Sequence, residues 1–292
     1  MGQGILTDQP SQNILLGDDC AAIADGTGYL LLAAEGILPA LVTSDPWFAG
    51  WCGVLVNVSD IYAMGGRPIA VVDAIWSQTR EQAEPILAGM VAAAQRFNVP
   101  IVGGHSNGHS PYDALAVAIL GRAQTLLSSF TAQPGDRLLL LSDFAGQAHP
   151  RYPFWDAATQ ADGDILRGKL NLLPELAERG LCDTAKDISM GGILGTTLML
   201  LETSKVGACL RLDHIPVPPG LTLETWLISF PSYGFILSVR PAQVAPIQGL
   251  AKDLNLVCAD IGNVTPGTAL GLQDGATRVP FWDLATEPLM GF

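Results

Sequence analysis

The segment GVLVNVSDIYAMGGRP, residues 53–68, constrains the fold most, because it sets polar side chains inside an apolar run. A helix that is apolar nearly all round is typically buried. Gly53, Asn57, Asp60 and Met64 share one narrow face of such a helix, at spacings of four, three and four residues. A buried carboxylate is costly unless it is paired. The stripe therefore predicts either a structural hydrogen bond or a ligand or metal site.

The flanking residues set the ends of this helix. Asp45 is a favourable N-cap and Pro46 a favourable first helical residue. Gly65 and Gly66 end the helix, and Pro68 prevents it from restarting. The sequence thus predicts one buried helix over about residues 46–64.

The first part of the chain alternates strand-like and helical patterns. Apolar runs predict strands and longer amphipathic runs predict helices, in the order β-α-β-α-β-β. The predicted strands are 28–34, 69–75, 99–104 and 114–121, and the predicted helices are 46–64 and 81–97. This order indicates an α+β domain, a four-stranded sheet with its helices on one face.

A second α+β domain follows a turn-rich stretch. Residues 122–136 contain the turn sequence TAQPGD, so we place the boundary between domains 1–130 and 131–292. The predicted elements beyond it are strands 137–143, 233–239 and 256–264 and helices 190–204 and 242–254. Residues 144–168 are irregular and aromatic, and no element is predicted there.

Composition excludes several classes of protein. The net charge is −13 and residues 1–168 contain no lysine, which disfavours nucleic-acid binding. No apolar run is long enough for a membrane helix, and residues 1–13 show no signal peptide. The five cysteines form no C-x-x-C pair, so we expect a reduced, cytoplasmic location.

Several acidic or glycine-containing segments are candidates for a catalytic or binding site. GDDCAAI at 17–23 is either a solvated turn entering a strand or part of a site, and Glu35 ends the first strand. KDISMGG at 186–192 puts an aspartate before glycines that open a helix, and IVGGHSNG at 101–108 ends a strand in glycines. The chain has no P-loop, no G-x-G-x-x-G and no G-x-S-x-G motif.

Together these segments resemble the aminoimidazole ribonucleotide (AIR) synthetase superfamily. The match rests on the ordered motifs GDDCAAI, LVNVSDIYAMGGRP, IVGGHSNG with LAVAILG, AQPGDRLLLLS and DISMGGILGTT, over about residues 14–265. The superfamily includes thiamine-monophosphate kinase, selenophosphate synthetase and formylglycinamidine ribonucleotide synthetase. The resemblance implies a two-domain fold, a homodimer built on the N-terminal domains, and ATP bound through Mg²⁺.

The resemblance also implies roles for individual residues. The implied metal ligands are Asp19, Glu35, Asp60 and Asp187. The implied nucleotide contacts are Gly17, Asp18, Asn57, Gly103, Gly104 and His105. For cationic catalytic groups we expect Arg67 and Lys186, with Arg122 as a further candidate. Divalent cations would let a lysine-poor acidic chain hold a triphosphate.

Three differences from the superfamily pattern limit which of its activities we expect in this chain. Glu35 stands where most relatives have an aspartate. The chain lacks the N-terminal cysteine and lysine that selenophosphate synthesis needs. The acidic segment of thiamine-monophosphate kinase is replaced by SFPSYGFIL at 229–237, and Met190 replaces the acid of its SDG motif. These differences disfavour selenophosphate and thiamine-phosphate chemistry.

We therefore expect an ATP- and Mg²⁺-dependent enzyme that activates an oxygen of a small metabolite by phosphoryl transfer, as a synthetase or kinase. The alternative is a catalytically degenerate nucleotide-binding or assembly protein of the same fold. A zinc hydrolase using His105, His109 and His149 is a third hypothesis. The predicted partners are a phosphorylated or oxygen-containing metabolite and a second copy of the chain, with no nucleic acid and no membrane.

Overall fold

The computed structural model describes residues 15–291. Most of its strands form two large β-sheets. The first sheet holds the strands within 21–123, and the second holds strands from residue 137 onward. Residues 1–13, where no signal peptide is predicted, lie outside the described residues. None of the helices in the described part of the chain is long and apolar enough to cross a membrane.

The N-terminal sheet has five strands in the order β1-β2-β5-β3-β4. They are β1 (Ala21–Asp25), β2 (Gly28–Ile37), β3 (Arg67–Trp76), β4 (Ile101–Asn107) and β5 (Ala114–Ala123). All neighbours run antiparallel except β3 and β4, which are parallel and joined by a helix. The α+β class is confirmed, but the predicted sheet of four strands has a fifth. The extra strand, β1, pairs with β2 across a tight turn at Gly26, whose φ of 63° suits glycine.

The helices of this domain are α1 (Pro39–Ser44), α2 (Pro46–Ala63) and α3 (Arg80–Phe97). Helix α2 begins and ends as its flanking residues predict: the Asp45 carboxylate accepts from the Phe48 amide at 3.4 Å, and Gly65 has a φ of 72°. Fifteen residues of α2 are buried, because the helix lies between the two large sheets and also packs on α3. This position explains why α2 is apolar nearly all round.

The C-terminal sheet has seven strands in the order β15-β14-β10-β13-β6-β12-β9. They are β6 (Arg137–Ser142), β9 (Thr184–Asp187), β10 (Gly207–Arg211), β12 (Gly234–Val239), β13 (Val257–Thr265), β14 (Ala269–Asp274) and β15 (Thr277–Asp283). The leucines of β6 alternate between two cores: Leu139 and Leu141 face the N-terminal domain, and Leu138 and Leu140 face away from it. Burial on both faces explains the unbroken apolar run RLLLLS.

Helices and a small sheet complete this domain. The helices are α4 (Gly163–Leu170), α5 (Leu172–Glu178), α6 (Gly192–Ser204), α7 (Leu223–Leu227) and α8 (Val244–Asp253), with 3₁₀ turns at Leu212–His214 and Pro241–Gln243. The irregular segment 144–168 contributes β7 (Gln147–Ala148), β8 (Phe154–Asp156) and the start of α4. Strands β7 and β8 form a three-stranded sheet with β11 (Phe230–Pro231).

Side-chain hydrogen bonds also link the two domains. Arg67 on β3 donates to Glu178 at 2.5 Å and to Asn171 at 3.2 Å. Asp18 accepts from the hydroxyl of Ser128 at 2.6 Å, in the connection between the sheets. The predicted boundary at residues 130 and 131 lies within that connection and stays a prediction.

Helices α2 and α3 approach each other closely at two glycines. A Cβ atom at Gly50 would lie 2.0 Å from the Ile86 carbonyl oxygen, and one at Gly89 would lie 1.9 Å from that of Trp47. Real Cβ atoms do not approach backbone this closely, so a methyl group at either position must push the helices apart. Gly249 on α8 has no neighbouring atom within 4 Å of such a Cβ and provides a matched control.

We predict that Gly50→Ala and Gly89→Ala each lower the free energy of unfolding by about 2 kcal/mol or more, because overpacking displaces the backbone. Gly249→Ala should raise it by about 0.5–1 kcal/mol, since alanine is the better helix former. Chemical denaturation of the three variants measures this. Equal stability of the Gly50 and Gly249 variants would contradict the packing described.

Candidate active site

A cavity of about 680 Å³ lies between the domains and is lined by residues of both. One end is acidic and contains Asp18, Asp19, Asp60 and Asp187. The other end is apolar and aromatic. A cleft between domains is a common place for a binding site, and here the two ends differ sharply in chemistry.

Three aspartates from distant parts of the chain meet at the acidic end. Asp19 precedes β1, Asp60 lies on α2 and Asp187 ends β9. Each offers a carboxylate oxygen, and these oxygens all lie within 4.8 Å of one another. Oxygen ligands in such a group suit a hard divalent cation such as Mg²⁺. The structure therefore brings together three of the four predicted metal ligands.

Asp60 is the most isolated of the three carboxylates. Its side chain is 6% exposed, and its Oδ2 atom has no hydrogen-bond partner among the described residues. Burial, and then the neighbouring carboxylates of Asp187 and Asp19, raise its pKa well above the ordinary value. A buried carboxylate with an unpartnered oxygen is a position that a metal ion would satisfy.

The pKa of Asp187 is raised, as is that of Asp60. Burial, followed by the charge of Asp19, raises its pKa to about 8. Its backbone N–H donates to Asp19 Oδ2 at 3.4 Å. Ionised carboxylates in this cluster would repel one another, so protons stay bound to it at neutral pH, and a divalent cation would replace them.

Lys186 supplies the one ammonium group among the described residues of the cavity lining. It is buried and forms an ion pair with Asp19. The charges of Asp19 and Asp187 outweigh desolvation and raise the pKa of Lys186, so it stays charged at neutral pH. The structure therefore places this predicted catalytic residue within the acidic end.

Three other predicted residues line the same cavity: Gly17, Asp18 and Glu35. Asp18 accepts from the Ser128 hydroxyl and the Ser129 N–H, which holds the GDD loop against the interdomain connection. Burial raises the pKa of Asp18 to about 6. Glu35 lies outside the group of three close carboxylates, so its role as a metal ligand stays a prediction.

Four predicted nucleotide contacts do not line the cavity. Asn57 is fully buried, and its Nδ2 donates to the Gly53 carbonyl one turn earlier at 2.8 Å. This structural hydrogen bond accounts for the NH2 of the amide, whereas its Oδ1 has no partner among the described residues. Gly103, Gly104 and His105 lie exposed on β4 at the edge of the N-terminal sheet.

The two predicted arginines also lie away from the acidic end. Arg67 is held by Glu178 and Asn171 at the domain boundary. Arg122 pairs with Asp25 across the N-terminal sheet at 2.5 Å. Neither lines the cavity. These positions do not favour the expected contacts with phosphate, because both guanidinium groups are engaged elsewhere.

The histidines give no support to a zinc site. Among residues 15–291, the close group of metal-binding side chains is the aspartate cluster, which contains no histidine. His149 instead stacks on Phe48, with ring centres 4.6 Å apart. All five cysteines are free thiols, as expected from their spacing. Burial raises the pKa of the Cys20 thiol far above its ordinary value, which agrees with an inert packing role.

The aromatic end of the cavity was not predicted from the sequence. Phe48, Tyr152, Phe154 and Phe230 line it. Three of these lie in the segments that form the small sheet or adjoin it. The aromatic residues in HPRYPFW, 149–155, are the sequence feature that indicates this wall. The strands there are too short to show a periodicity, so the sequence does not predict where the rings lie.

The C-terminal tail closes one side of the cavity. Glu202 on α6 accepts backbone hydrogen bonds from Leu289 at 3.0 Å and from Met290 at 2.9 Å. These bonds hold Met290 in the cavity wall. Residues near the end of the chain therefore contribute to the site.

We predict that Mg²⁺, at about 100 times its Kd, raises the free energy of unfolding by about 2.7 kcal/mol through mass action. Asp60→Asn should abolish this gain and leave the metal-free protein at least as stable, because it replaces a carboxyl whose ionisation the cluster disfavours with a neutral amide. Asp73→Asn is the control, since Asp73 is a half-buried carboxylate on β3 outside the cluster. Thermal denaturation with and without MgCl₂ measures both effects. A full Mg²⁺ effect in Asp60→Asn would contradict the assignment.

Comparison with known proteins agrees with this architecture. Residues 17–123 match the model of the AIR synthase related protein N-terminal domain, and residues 133–275 match that of the C-terminal domain. An uncharacterised protein of Synechocystis sp. is 61% identical over 280 residues, which cover 96% of this chain and 87% of that protein.

Two solved proteins share the fold at lower identity. PurL of Thermotoga maritima, solved in complex with ATP, superposes with a TM-score of 0.74 at 22% identity, over 89% of this chain and 45% of PurL. AaThiL, in complex with AMPPCP and TMP, superposes with a TM-score of 0.68 at 17% identity, over 93% of each chain. The chain thus spans under half of PurL and nearly all of AaThiL. From its two matched domains and their fold, this chain belongs to the AIR synthase related protein family.

Proposed function

We propose that this chain is an ATP- and Mg²⁺-dependent enzyme that transfers a phosphoryl group to an oxygen of a small molecule. The observation that carries the proposal is the meeting of Asp19, Asp60 and Asp187 within 4.8 Å at one end of an interdomain cavity. The unpartnered Oδ2 of Asp60 suits coordination of a cation. An acidic chain needs such a cation to hold a triphosphate.

In this proposal the three aspartates would hold Mg²⁺, with Glu35 as a further candidate ligand nearby. The chemistry that a bound Mg²⁺ supplies is neutralisation of charge on phosphate oxygens. Lys186 keeps Asp19 in place and presents its ammonium group at the same end of the cavity. Gly17 and Asp18 shape the loop next to the metal ligands. Burial of Asp60, Lys186 and Asp187 strengthens their electrostatic effect on a phosphate.

The proposed transfer breaks one bond to phosphorus and forms another. The bond between the γ-phosphorus and the bridging oxygen of ATP breaks, a bond from that phosphorus to the acceptor oxygen forms, and ADP leaves. The proton of a hydroxyl acceptor passes to solvent. The role of this chain is to position the two reactants and to stabilise charge, which is what phosphoryl transfer chiefly requires.

The solved relatives support a nucleotide in this fold. PurL has been solved with ATP and, separately, with FGAR, and AaThiL with AMPPCP and TMP. These complexes pair an adenine nucleotide or its analogue with a small organic molecule in proteins of the same architecture. The predicted contacts of Asn57, Gly103, Gly104 and His105 stay predictions, and Arg67 has no part in the proposed chemistry.

We also propose that the chain forms a homodimer through the open face of its N-terminal sheet. Helix α2 covers the face that carries Leu31 and Val117, and both side chains are buried. The opposite face carries Leu32 and Val72, which are 48% and 43% exposed. An apolar sheet face of this kind is typically covered by a partner.

Light scattering at micromolar concentration should give the mass of a dimer for the wild-type chain. Val72→Glu should shift it to a monomer, because a charge would be buried in the interface. Ile165→Glu is the control, since Ile165 on α4 is exposed in the other domain. A wild-type monomer would refute the proposed dimer.

We predict slow Mg²⁺-dependent ATP hydrolysis by the purified protein. Lys186→Met should lower the rate at least about tenfold, since it removes the ammonium group from the phosphate end. Arg67→Ala should leave the rate unchanged and cost at most about 1 kcal/mol of stability, because its ion pair is partly exposed. Circular dichroism and the melting temperature check that both variants fold.

The outcomes separate the two hypotheses for this chain. Loss of activity in Arg67→Ala with none in Lys186→Met would overturn the assignment of the cationic group. Binding of Mg²⁺–ATP without turnover, in the presence of any small oxygen-containing metabolite, would favour a degenerate nucleotide-binding protein.

A further inference from the structure

The aromatic end of the cavity is a continuous wall built from both domains. Phe48 on α2 packs edge-on against Phe154 on β8, with ring centres 5.1 Å apart, and Phe154 packs against Phe230 at 5.2 Å. Tyr152 lies parallel to Phe48 at 6.0 Å, with 2° between the ring planes. Rings locked against one another in this way form a preformed apolar surface rather than a collapsible one.

Charge is nearly absent from this wall. The one cationic side chain among the described lining residues is Lys186, which belongs to the acidic end and is paired with Asp19. Arg151 lies near the rim, 5.6 Å from the centre of the Tyr152 ring, but its guanidinium is paired with Asp45. A phosphate or carboxylate held against the aromatic wall would therefore lose its hydration without gaining a free cation.

The polar groups at the aromatic end are already engaged. The hydroxyl of Tyr152 shares a hydrogen bond with the Ser44 hydroxyl at 3.0 Å. The methionines Met190, Met199 and Met290 also line the cavity. Methionine adapts its shape to flat apolar ligands. The wall thus offers area and shape rather than directed charge.

We infer that the acceptor is a flat, uncharged aromatic or polycyclic molecule that carries its reacting oxygen at one edge. Its body lies against Phe48, Tyr152, Phe154 and Phe230, and its oxygen points toward Lys186 and the aspartate cluster. This inference rests on the proposed function, because it assigns the triphosphate to the acidic end. It excludes acceptors whose main recognition group is a phosphate, such as sugar phosphates.

The size of the cavity agrees with such an acceptor beside the nucleotide phosphates. A volume of about 680 Å³ lies within the range of about 300–1,000 Å³ that is usual for small-molecule sites. The competing explanation is that the adenine ring of ATP occupies the aromatic wall. Competition between a neutral aromatic probe and an ATP analogue distinguishes the two.

The test uses 2-naphthol as the neutral probe, 2-naphthyl phosphate as its charged counterpart and ribose 5-phosphate as a sugar phosphate. Each is titrated by calorimetry into the full chain saturated with Mg²⁺ and AMPPCP. We expect 2-naphthol to bind at least about tenfold more tightly than either phosphate, because the wall gives the phosphate no free cation.

Two wall variants and a matched control make the test specific. Phe230→Ala should weaken 2-naphthol binding at least about tenfold through loss of aromatic contact. Met190→Gln should weaken it as well, whereas Met190→Leu should preserve it. Met190 is 67% exposed, so these exchanges leave the core intact if Phe230→Ala fails to fold.

The results separate this inference from the proposed function. Tighter binding of either phosphate, weaker binding of 2-naphthol to the saturated chain than to the nucleotide-free chain, or equal binding in Met190→Gln and Met190→Leu would overturn the inference and leave nucleotide binding intact. Failure of Mg²⁺–AMPPCP to bind, measured in a separate titration, would instead count against the proposed function.

Discussion

Placing three carboxylates together in a buried interdomain site costs free energy, because any two that are ionised repel one another. Asp19, Asp60 and Asp187 come from a loop, a helix and a strand end, and the fold must position all three elements to bring them within 4.8 Å. Fifteen of the eighteen residues of helix α2 are buried, and Asp60 is one of them. A cation between the domains would convert this repulsion into an attraction that holds them together.

Much of this arrangement can be read from local sequence. The cap at Asp45, the glycines after Met64 and the spacing of Asn57 and Asp60 predict α2 and its polar stripe, because capping and helical periodicity are local properties. The aspartates themselves were identified through a resemblance to a known superfamily. Their mutual distances could not be predicted from the residues alone, because they depend on the packing of one domain on the other.

The failures have equally specific causes. Arg67 follows the Asp60 helix closely in sequence, yet the start of β3 directs it to Glu178 rather than to the cavity. Asn57 shares a helix face with Asp60, but its amide bonds back to Gly53 within the helix. The aromatic wall is assembled from α2, β8 and β11, whose strands have three and two residues and show no period to detect. Residues that are close in sequence, or that share a helix face, are therefore not always close together in the site.

The central claim is that the aspartate cluster holds a divalent cation that in turn holds ATP. Isothermal calorimetry of ATP binding, with Mg²⁺ and with EDTA, tests it most directly. We expect Mg²⁺ to strengthen ATP binding at least about tenfold, or about 1.4 kcal/mol, since carboxylates and phosphates otherwise repel. Equal affinity in the two conditions would contradict it.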